Sequence, residues 1–463
     1  MYPEPELLSK STWNKTVLKN MGSRLGIKSE GYDPFHRLSM YDRFMVEQLN
    51  AYPVEPLITS EDWGKVVEYY LSNAPDSALP QDPKETIINH LSNFKLRVID
   101  DLPAQPLSTL VSIDTIRQVI YWGSRMGDLM TVDAEGILTM QHSLQSAPAH
   151  IVTKTASNYV LTMGIMDPSE ESQGGLYEFE GRRITELLTG LQRPVHTSAG
   201  DFNNDGKDDF VVAQFGNQTG RLSWYQTNDS GKYHEHIIKN VPGSIKTELK
   251  DFDQDGKKDI IALFGQGEER LSVFVQTGNQ GFEEKVLLRF PPAYGSSNFQ
   301  TIDMNHDGAL DIIYTNGDNA DYSYSLKAYH GVRVFLNTGN NEFEEVYFFP
   351  LFGATKSMAD DFDGDGDIDM FTICFFPDFE KDSPEGFVYF ENQGNLKFKP
   401  YTFAESINGR WLVADSGDID GDGDKDIVLG SFLHLVNVAP KNLIDQWRAH
   451  GYQMVILENT TAD

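Results

Sequence analysis

Five stretches of the chain space acidic and amide side chains as a hard cation requires. They begin at Asp201, Asp251, Asp303, Asp361 and Asp418, and all fit D-x-D/N-x-D-G-x-x-D. The expected donors are the side chains at positions 1, 3, 5 and 9 and the backbone carbonyl at position 7. In the first loop these are Asp201, Asn203, Asp205 and Asp209 with the carbonyl of Lys207. The second offers Asp251, Asp253, Asp255 and Asp259 with Lys257; the third offers Asp303, Asn305, Asp307 and Asp311 with Ala309. The fourth has Asp361, Asp363, Asp365 and Asp369 with Asp367, and the fifth has Asp418, Asp420, Asp422 and Asp426 with Asp424. Ca²⁺ takes roughly 6–8 oxygen ligands, and a glycine at position 6 permits the sharp turn that gathers them. One copy alone would read as a solvated acidic turn. Five in-phase copies point to about five calcium sites. An EF-hand does not fit, because each loop runs straight into an apolar strand such as Asp259-Ile-Ile-Ala-Leu-Phe264.

The elements that must carry these loops follow from periodicity. The loops recur at spacings of 50, 52, 58 and 57 residues, and repeats of this length with several strands each indicate propeller blades. In each unit strand A precedes the loop, strand B follows it, and strands C and D meet at Asn/Gly turns such as Asn337-Thr-Gly-Asn340. The same period, taken backwards from Asp201, marks two units without the motif, at about 107–146 and 147–195. The expected fold is therefore mainly β, a seven-bladed propeller over 92–463 preceded by a small helical domain over 1–91. The last unit lacks a strand D. The segment Asn93-Phe-Lys-Leu-Arg-Val-Ile99 resembles one, so 92–99 is predicted to complete the seventh blade and remove an exposed edge.

Within 1–91, a helix is predicted from a Ser11 cap to Gly22, a second from about Ser39 to Asn50, and a third from the capping box Thr59-Ser-Glu-Asp62 to before Pro75. A Pro-rich linker at 79–83 leads into a short helical stretch through His90.

The 463 residues carry a formal charge of -31, which argues against nucleic acid and anionic membrane surfaces as partners. No stretch approaches a membrane-spanning helix. Cys374 is the one cysteine and reads as a core thiol, so no disulfide forms within the chain. Met1-Tyr-Pro-Glu4 lacks the features of a signal peptide. Loops this rich in Asp are loaded where calcium is millimolar. We therefore expect an extracellular, cell-surface or periplasmic setting, and an export signal that is absent from this chain.

The five loops with their trailing strands resemble the FG-GAP/VCBS repeat, also found in the integrin α-chain propeller, strongly over about 195–463 and weakly over 107–194. The resemblance implies a calcium-bearing propeller and leaves adhesion, sugar binding and catalysis open. Tyr2-Pro-Glu-Pro-Glu-Leu-Leu8, Met21-Gly-Ser-Arg-Leu-Gly26 and Ile58-Thr-Ser-Glu-Asp-Trp63 resemble the c-type cytochrome domain that precedes such repeats in bacterial surface proteins. Family members carry Cys-x-x-Cys-His before these stretches. This chain has none, so haem is not expected in it, and Met21 and Met45 are read as packing residues rather than distal ligands.

In a propeller the A–B and C–D connections share one face and the B–C and D–A connections the other. The calcium loops are A–B connections and are expected to be structural. The long insertions, at about 165–175, 315–331, 376–386 and 432–450, are B–C connections on the opposite face; the last should hold a short helix from Lys441 to Ala449. Asp318, Asn319, Asp321, Tyr322, Lys327, Tyr329 and His330 mix carboxylates, amides and aromatics that suit a carbohydrate or protein ligand. The competing reading is a loop that holds itself together by internal hydrogen bonds. His234 and His236 read as a surface pair, and His306 as pointing to solvent. No Gly-x-Ser-x-Gly or His-Glu-x-x-His occurs. The expected function is a binding module rather than an enzyme. The alternatives are a surface electron-transfer protein whose haem-attachment segment is missing here, and a polysaccharide-active enzyme using Asp318 and Asp321.

Overall fold

The computed structural model describes residues 2–461 except 37, 100, 101, 103, 104, 279, 280, 319–324, 381–384 and 435–438. Seven antiparallel sheets make the seven blades of a β-propeller. Blade 1 runs Ser108–Asp114, Val119–Ser124, Asp128–Asp133 and Leu138–Ser143, and blade 2 runs Pro148–Val152, Asn158–Thr162, Gly174–Glu180 and Arg183–Leu191. Blades 3 to 6 begin with Pro194–Gly200, Ser244–Lys250, Ser296–Ile302 and Ala354–Asp360. Blade 7 takes Trp411–Gly417, Asp426–Ser431 and Met454–Asn459 from the C-terminal end, and Phe94–Ile99 pairs antiparallel with Met454–Asn459 as its outer strand.

Each sheet presents both faces to neighbouring blades. Its second strand is therefore sandwiched, and every residue of Asp209–Gln214, Asp259–Phe264, Asp311–Asn316, Asp369–Cys374 and Asp426–Ser431 is buried. This is why these strands read as continuous apolar runs rather than alternating ones. Aromatic residues fill the gaps between blades: the Phe290 ring of blade 4 stacks on Tyr314 of blade 5 at 3.9 Å, and Tyr159 of blade 2 meets Phe210 of blade 3 edge to face at 4.8 Å. Truncating a buried ring such as Phe371 to Ala should cost about 3–5 kcal/mol. Cys374 is buried in this core, as expected of a structural thiol.

The N-terminal helices lie within residues 5–73. Ser9, not Ser11, caps the first: its Oγ accepts from Thr12 N, because the chain turns helical two residues before the sequence pattern suggests. A π-helical stretch, Trp13–Val17, then leads into Leu18–Arg24. Ser39 and Thr59 cap Met40–Gln48 and Ser60–Asn73. The predicted short helical stretch before His90 is absent. Ile88–Asn89 is instead a two-residue strand, parallel to Tyr401–Thr402 on the edge of blade 6, and Ile87 packs into that blade's core. Tertiary pairing overrides a weak local preference in this Pro-rich segment.

The helical region lies over the face that carries the B–C connections. Asp42 Oδ1 accepts from Ser169 Oγ and Glu170 N of blade 2, and Arg24 Nη2 donates to Gln218 Oε1 of blade 3. Further along, Lys84 Nζ bridges Glu385 Oε1 and the carbonyl of Pro350. Among the described residues, no helix is long and apolar enough to cross a membrane.

Candidate functional site

All five acidic loops close in the same way. The position-1 carboxylate accepts from the backbone N–H of the position-6 glycine, at 2.9, 3.0, 2.8, 3.1 and 3.2 Å in chain order. The position-3 oxygen accepts from the position-5 N–H, and the position-5 carboxylate from the position-7 N–H; in the first loop these distances are 3.0 Å to Asn203 and 2.9 Å to Asp205. Such a coil forces left-handed backbone at positions 4 and 6. Position 6 is always glycine, with φ from 79° to 104°, and position 4 is Asn204, Gln254, His306, Gly364 or Gly421. The position-4 requirement is legible only once the turn is seen.

The carboxylate oxygens converge. In Asp251/Asp253/Asp255, Asp361/Asp363/Asp365 and Asp418/Asp420/Asp426 one oxygen from each residue lies within 4.8 Å of the others. Two oxygens on one calcium stand at most about 5 Å apart, so the donor set fits that ion. Burial and neighbouring carboxylates push Asp363 and Asp426 up to about 6 and Asp369 up to about 7, so these groups resist ionising side by side without a cation.

Position 9 has a second task that spacing did not reveal. Asp209, Asp259, Asp311, Asp369 and Asp426 are buried, and one oxygen of each accepts from the backbone N–H at the end of strand C: Thr227, Gln276, Asn337, Asn392 and Asn459, at 2.7–2.9 Å. In the last four the other oxygen accepts from the position-2 N–H, at Phe252, Met304, Phe362 and Ile419. Each position-9 carboxylate thus pins the loop to a strand far away in sequence. His306 is exposed, but its Nε2 lies 2.8 Å from the carbonyl oxygen of Gly366 and so bridges to the next loop instead of pointing freely to solvent.

Blades 1 and 2 solve the same problem without added charge. Asp114 is buried at the first A–B turn, and the Arg117 guanidinium donates to it at 2.7 Å. The same guanidinium reaches Asn158 Oδ1 and the carbonyls of Lys154 and Thr155 in blade 2. Lys154 in turn pairs with Asp208 of the first acidic loop.

On the opposite face, a cleft of about 540 Å³ opens between the helical region and blades 3 to 5. Leu8, Trp13, Val17, Met21 and Arg24 line one side, and Gln266, Glu269, Asp318 and Lys327 the other. Met21 packs in the helical core as a half-buried residue. Of the seven residues proposed for ligand contact, Asp318 and Lys327 line this cleft, while Asn319, Asp321 and Tyr322 lie outside the described residues. Tyr329 and His330 turn inward. The Tyr329 hydroxyl donates to the Ala293 carbonyl, its ring stacks on Tyr294 at 4.9 Å, and His330 is fully buried. Both hold the loop rather than facing the cleft. Sequence reasoning missed Glu269 altogether. Its buried carboxyl accepts from Gly295 N and Ser296 N, and burial still pushes it up to about 7. His234 and His236 lie edge to face at 4.7 Å on an outer strand, where the His236 ring stacks on Trp224. The insertion at 432–450 holds a helix, Lys441–His450.

The model of the FG-GAP-like repeat matches residues 251–314 and 361–429, so the chain carries FG-GAP-like repeats in blades 4 to 7. A curated relative, the "T-cell immunomodulatory protein homolog" of Plasmodium falciparum (isolate 3D7), is 31% identical over 131 residues, which span 27% of this chain and 18% of that protein. Among solved structures, the Neurospora crassa Pan2 WD40 domain is similar over 81% of this chain and 98% of its own, at 9% identity and a TM-score of 0.49. A streptogramin B lyase structure is similar over 80% and 98%, at 12% identity and a TM-score of 0.48. Likenesses this distant carry no argument about function.

Proposed function

We propose that the chain is an extracellular, calcium-stabilised propeller that serves as a binding module for a carbohydrate or protein partner. One observation carries the calcium reading: the five loops share one hydrogen-bonded coil, and in three of them carboxylate oxygens from three residues lie within 4.8 Å of one another, whereas the blades without the motif have the Arg117 guanidinium at this rim. The ions would be held by the position-1, 3, 5 and 9 side chains and the position-7 carbonyl, and would neutralise acids that otherwise repel. Each A–B loop belongs to a separate blade, so the five sites act as structural ties rather than one catalytic centre. The extracellular setting rests on the calcium level such loops need.

The partner face in this reading is the cleft rim at Asp318 and Lys327. A propeller bearing FG-GAP-like repeats is compatible with an interaction role. The catalytic alternative uses Asp318, which lines the cleft, and Asp321, which lies outside the described residues; the neighbouring Glu269 carboxylate is already engaged by two backbone amides. The test is calorimetric titration of chelator-stripped protein with Ca²⁺. About five sites are expected; no saturable binding would overturn the metal assignment and the extracellular argument with it. For the partner face, Asp318→Ala and Lys327→Ala should each weaken capture of any glycan or protein found by array screening while leaving melting unchanged. Undiminished capture by both variants would move the partner elsewhere.

A further inference from the structure

The acidic loops are bonded to one another through side chains that supply no ligand. Gln276, near the end of strand C in blade 4, is buried. Its backbone N–H donates to Asp259 Oδ1, the position-9 acid of its own loop, at 2.9 Å. Its Nε2 crosses to blade 3 and donates to the carbonyl of Phe202 at 2.8 Å. Phe202 is position 2 of the first loop, between the expected ligands Asp201 and Asn203. Asn459 does the same between blades 7 and 6. Its N–H donates to Asp426 Oδ1 at 2.9 Å, and its Nδ2 donates to the carbonyl of Phe362, position 2 of the fourth loop, at 2.7 Å. Both position-2 rings pack against the next blade: Phe202 meets Phe282 at 5.9 Å and Phe362 meets Phe94 at 6.4 Å.

The equivalent residues of blades 5 and 6 turn back on themselves. Asn337 Nδ2 donates to the Leu310 carbonyl and Asn392 Nδ2 to the Ile368 carbonyl, each at position 8 of its own loop. The His306 bridge to the Gly366 carbonyl joins the third loop to the fourth instead. Among the described residues, no hydrogen bond or ion pair joins the second loop to the third. The bonds therefore divide the loops into two groups, the first with the second, and the third with the fourth and fifth.

Such a bond transmits occupancy. An ion on Asp259 fixes a carboxylate that already holds the Gln276 backbone, and the Gln276 amide in turn holds the Phe202 carbonyl where Asp201 and Asn203 must converge. Filling the second loop thus meets part of the ordering cost of the first, and by linkage the reverse holds equally. We propose that Gln276 and Asn459 are positioning residues that couple the calcium sites of neighbouring blades, so that the sites fill as one group of two and one group of three. This coupling rests on the calcium reading of the loops and adds to it, because uncoupled sites would fill without regard to their neighbours.

The test is hydrogen exchange of the chelator-stripped full chain over a series of free Ca²⁺ concentrations, read separately at residues 201–209, 251–259 and 303–311. Asp253→Ala removes an exposed ligand of the second loop. It should raise the Ca²⁺ concentration that half-protects 201–209 by about three- to tenfold, the worth of one buried hydrogen bond, and leave 303–311 unchanged. Gln276→Leu keeps every ligand; it should shift 201–209 in the same direction, and adding Asp253→Ala to it should then shift 201–209 no further. An unmoved midpoint at 201–209 in Asp253→Ala would overturn the coupling while leaving the calcium reading intact. An equal shift at 303–311 would overturn the division into two groups. Absence of Ca²⁺-dependent protection in every loop would overturn the calcium reading itself, and the coupling with it.

Discussion

Blades 1 and 2 and blades 3 to 7 close their A–B rims by different means. In the first pair the cation is part of the chain: Arg117 sits between Asp114, Asn158 and two carbonyls. In the other five the same rim holds three to five carboxylates per loop, and lysines reach only a few of them, as Lys257 does Asp255. A guanidinium is always present and costs nothing to recruit, but its fork serves one geometry. On the calcium reading proposed above, a carboxylate loop is stabilised by an ion that it must recruit from solution. The difference teaches that the rim of blades 3 to 7 should be conditional on solution composition, and that of blades 1 and 2 should not.

Removing the ion should produce the largest effect. An ion at a thousandfold its dissociation constant stabilises by about 4 kcal/mol per site, so chelation is expected to lower the melting temperature by on the order of 10 °C or more. An unchanged melting curve in chelator would erase the distinction between the two sets of blades.

Asp369→Ala should come next. It removes the acceptor for Asn392 N, Phe362 N and the Tyr389 hydroxyl, at a cost of about 3 kcal/mol that persists with chelator present. Asp255→Asn, at an exposed position, should instead lose its effect entirely once calcium is removed. Equal chelator dependence in the two variants would contradict the double role of position 9.

Arg117→Met tests the other side of the comparison. It strands the buried Asp114 carboxylate, and about 2–3 kcal/mol is expected, below the fully buried case because a third of the Arg117 side chain is exposed. The loss should be the same with and without calcium. A loss seen only in chelator would mean that the first two blades also depend on the ion.

The smallest effect is a pH control on the opposite face. Glu269 has its folded-state value raised from 4.5 to about 7, so between those values the unfolded chain ionises while the folded one keeps the proton. Stability should therefore fall as pH rises from about 4.5 to 7 and level off above. Glu269→Gln should flatten that slope in melts from pH 5 to 8. A slope unchanged by the substitution would remove Glu269 as its source.

The repeat was legible because its signals are local. Glycine at position 6, the alternate acids and the apolar strand that follows all lie within one turn and one strand, and the period then counts the blades. The ligand face was read less well for the same reason. Tyr329 and His330 look like surface loop residues in sequence, yet Tyr294 and the Ala293 carbonyl, more than thirty residues upstream, draw them inward. Glu269 carried no sequence signal: it opens the strand Glu269–Thr277, and its burial depends on the backbone of Gly295 and Ser296.

The sequence by itself determined the repeating unit, the acidic spacing of the loops and the core thiol, since each follows from neighbours a few residues apart. Only the tertiary structure decided that the position-9 acids clamp the ends of strands C, that Arg117 serves two blades, and that Gln276 and Asn459 bond the loops of neighbouring blades. Those relations join residues as far as 17 positions apart, as between Asp259 and Gln276, or 97, as between Phe362 and Asn459. They exist because closing seven twisted sheets on one axis brings equivalent positions together, and no local pattern encodes which partners closure will supply.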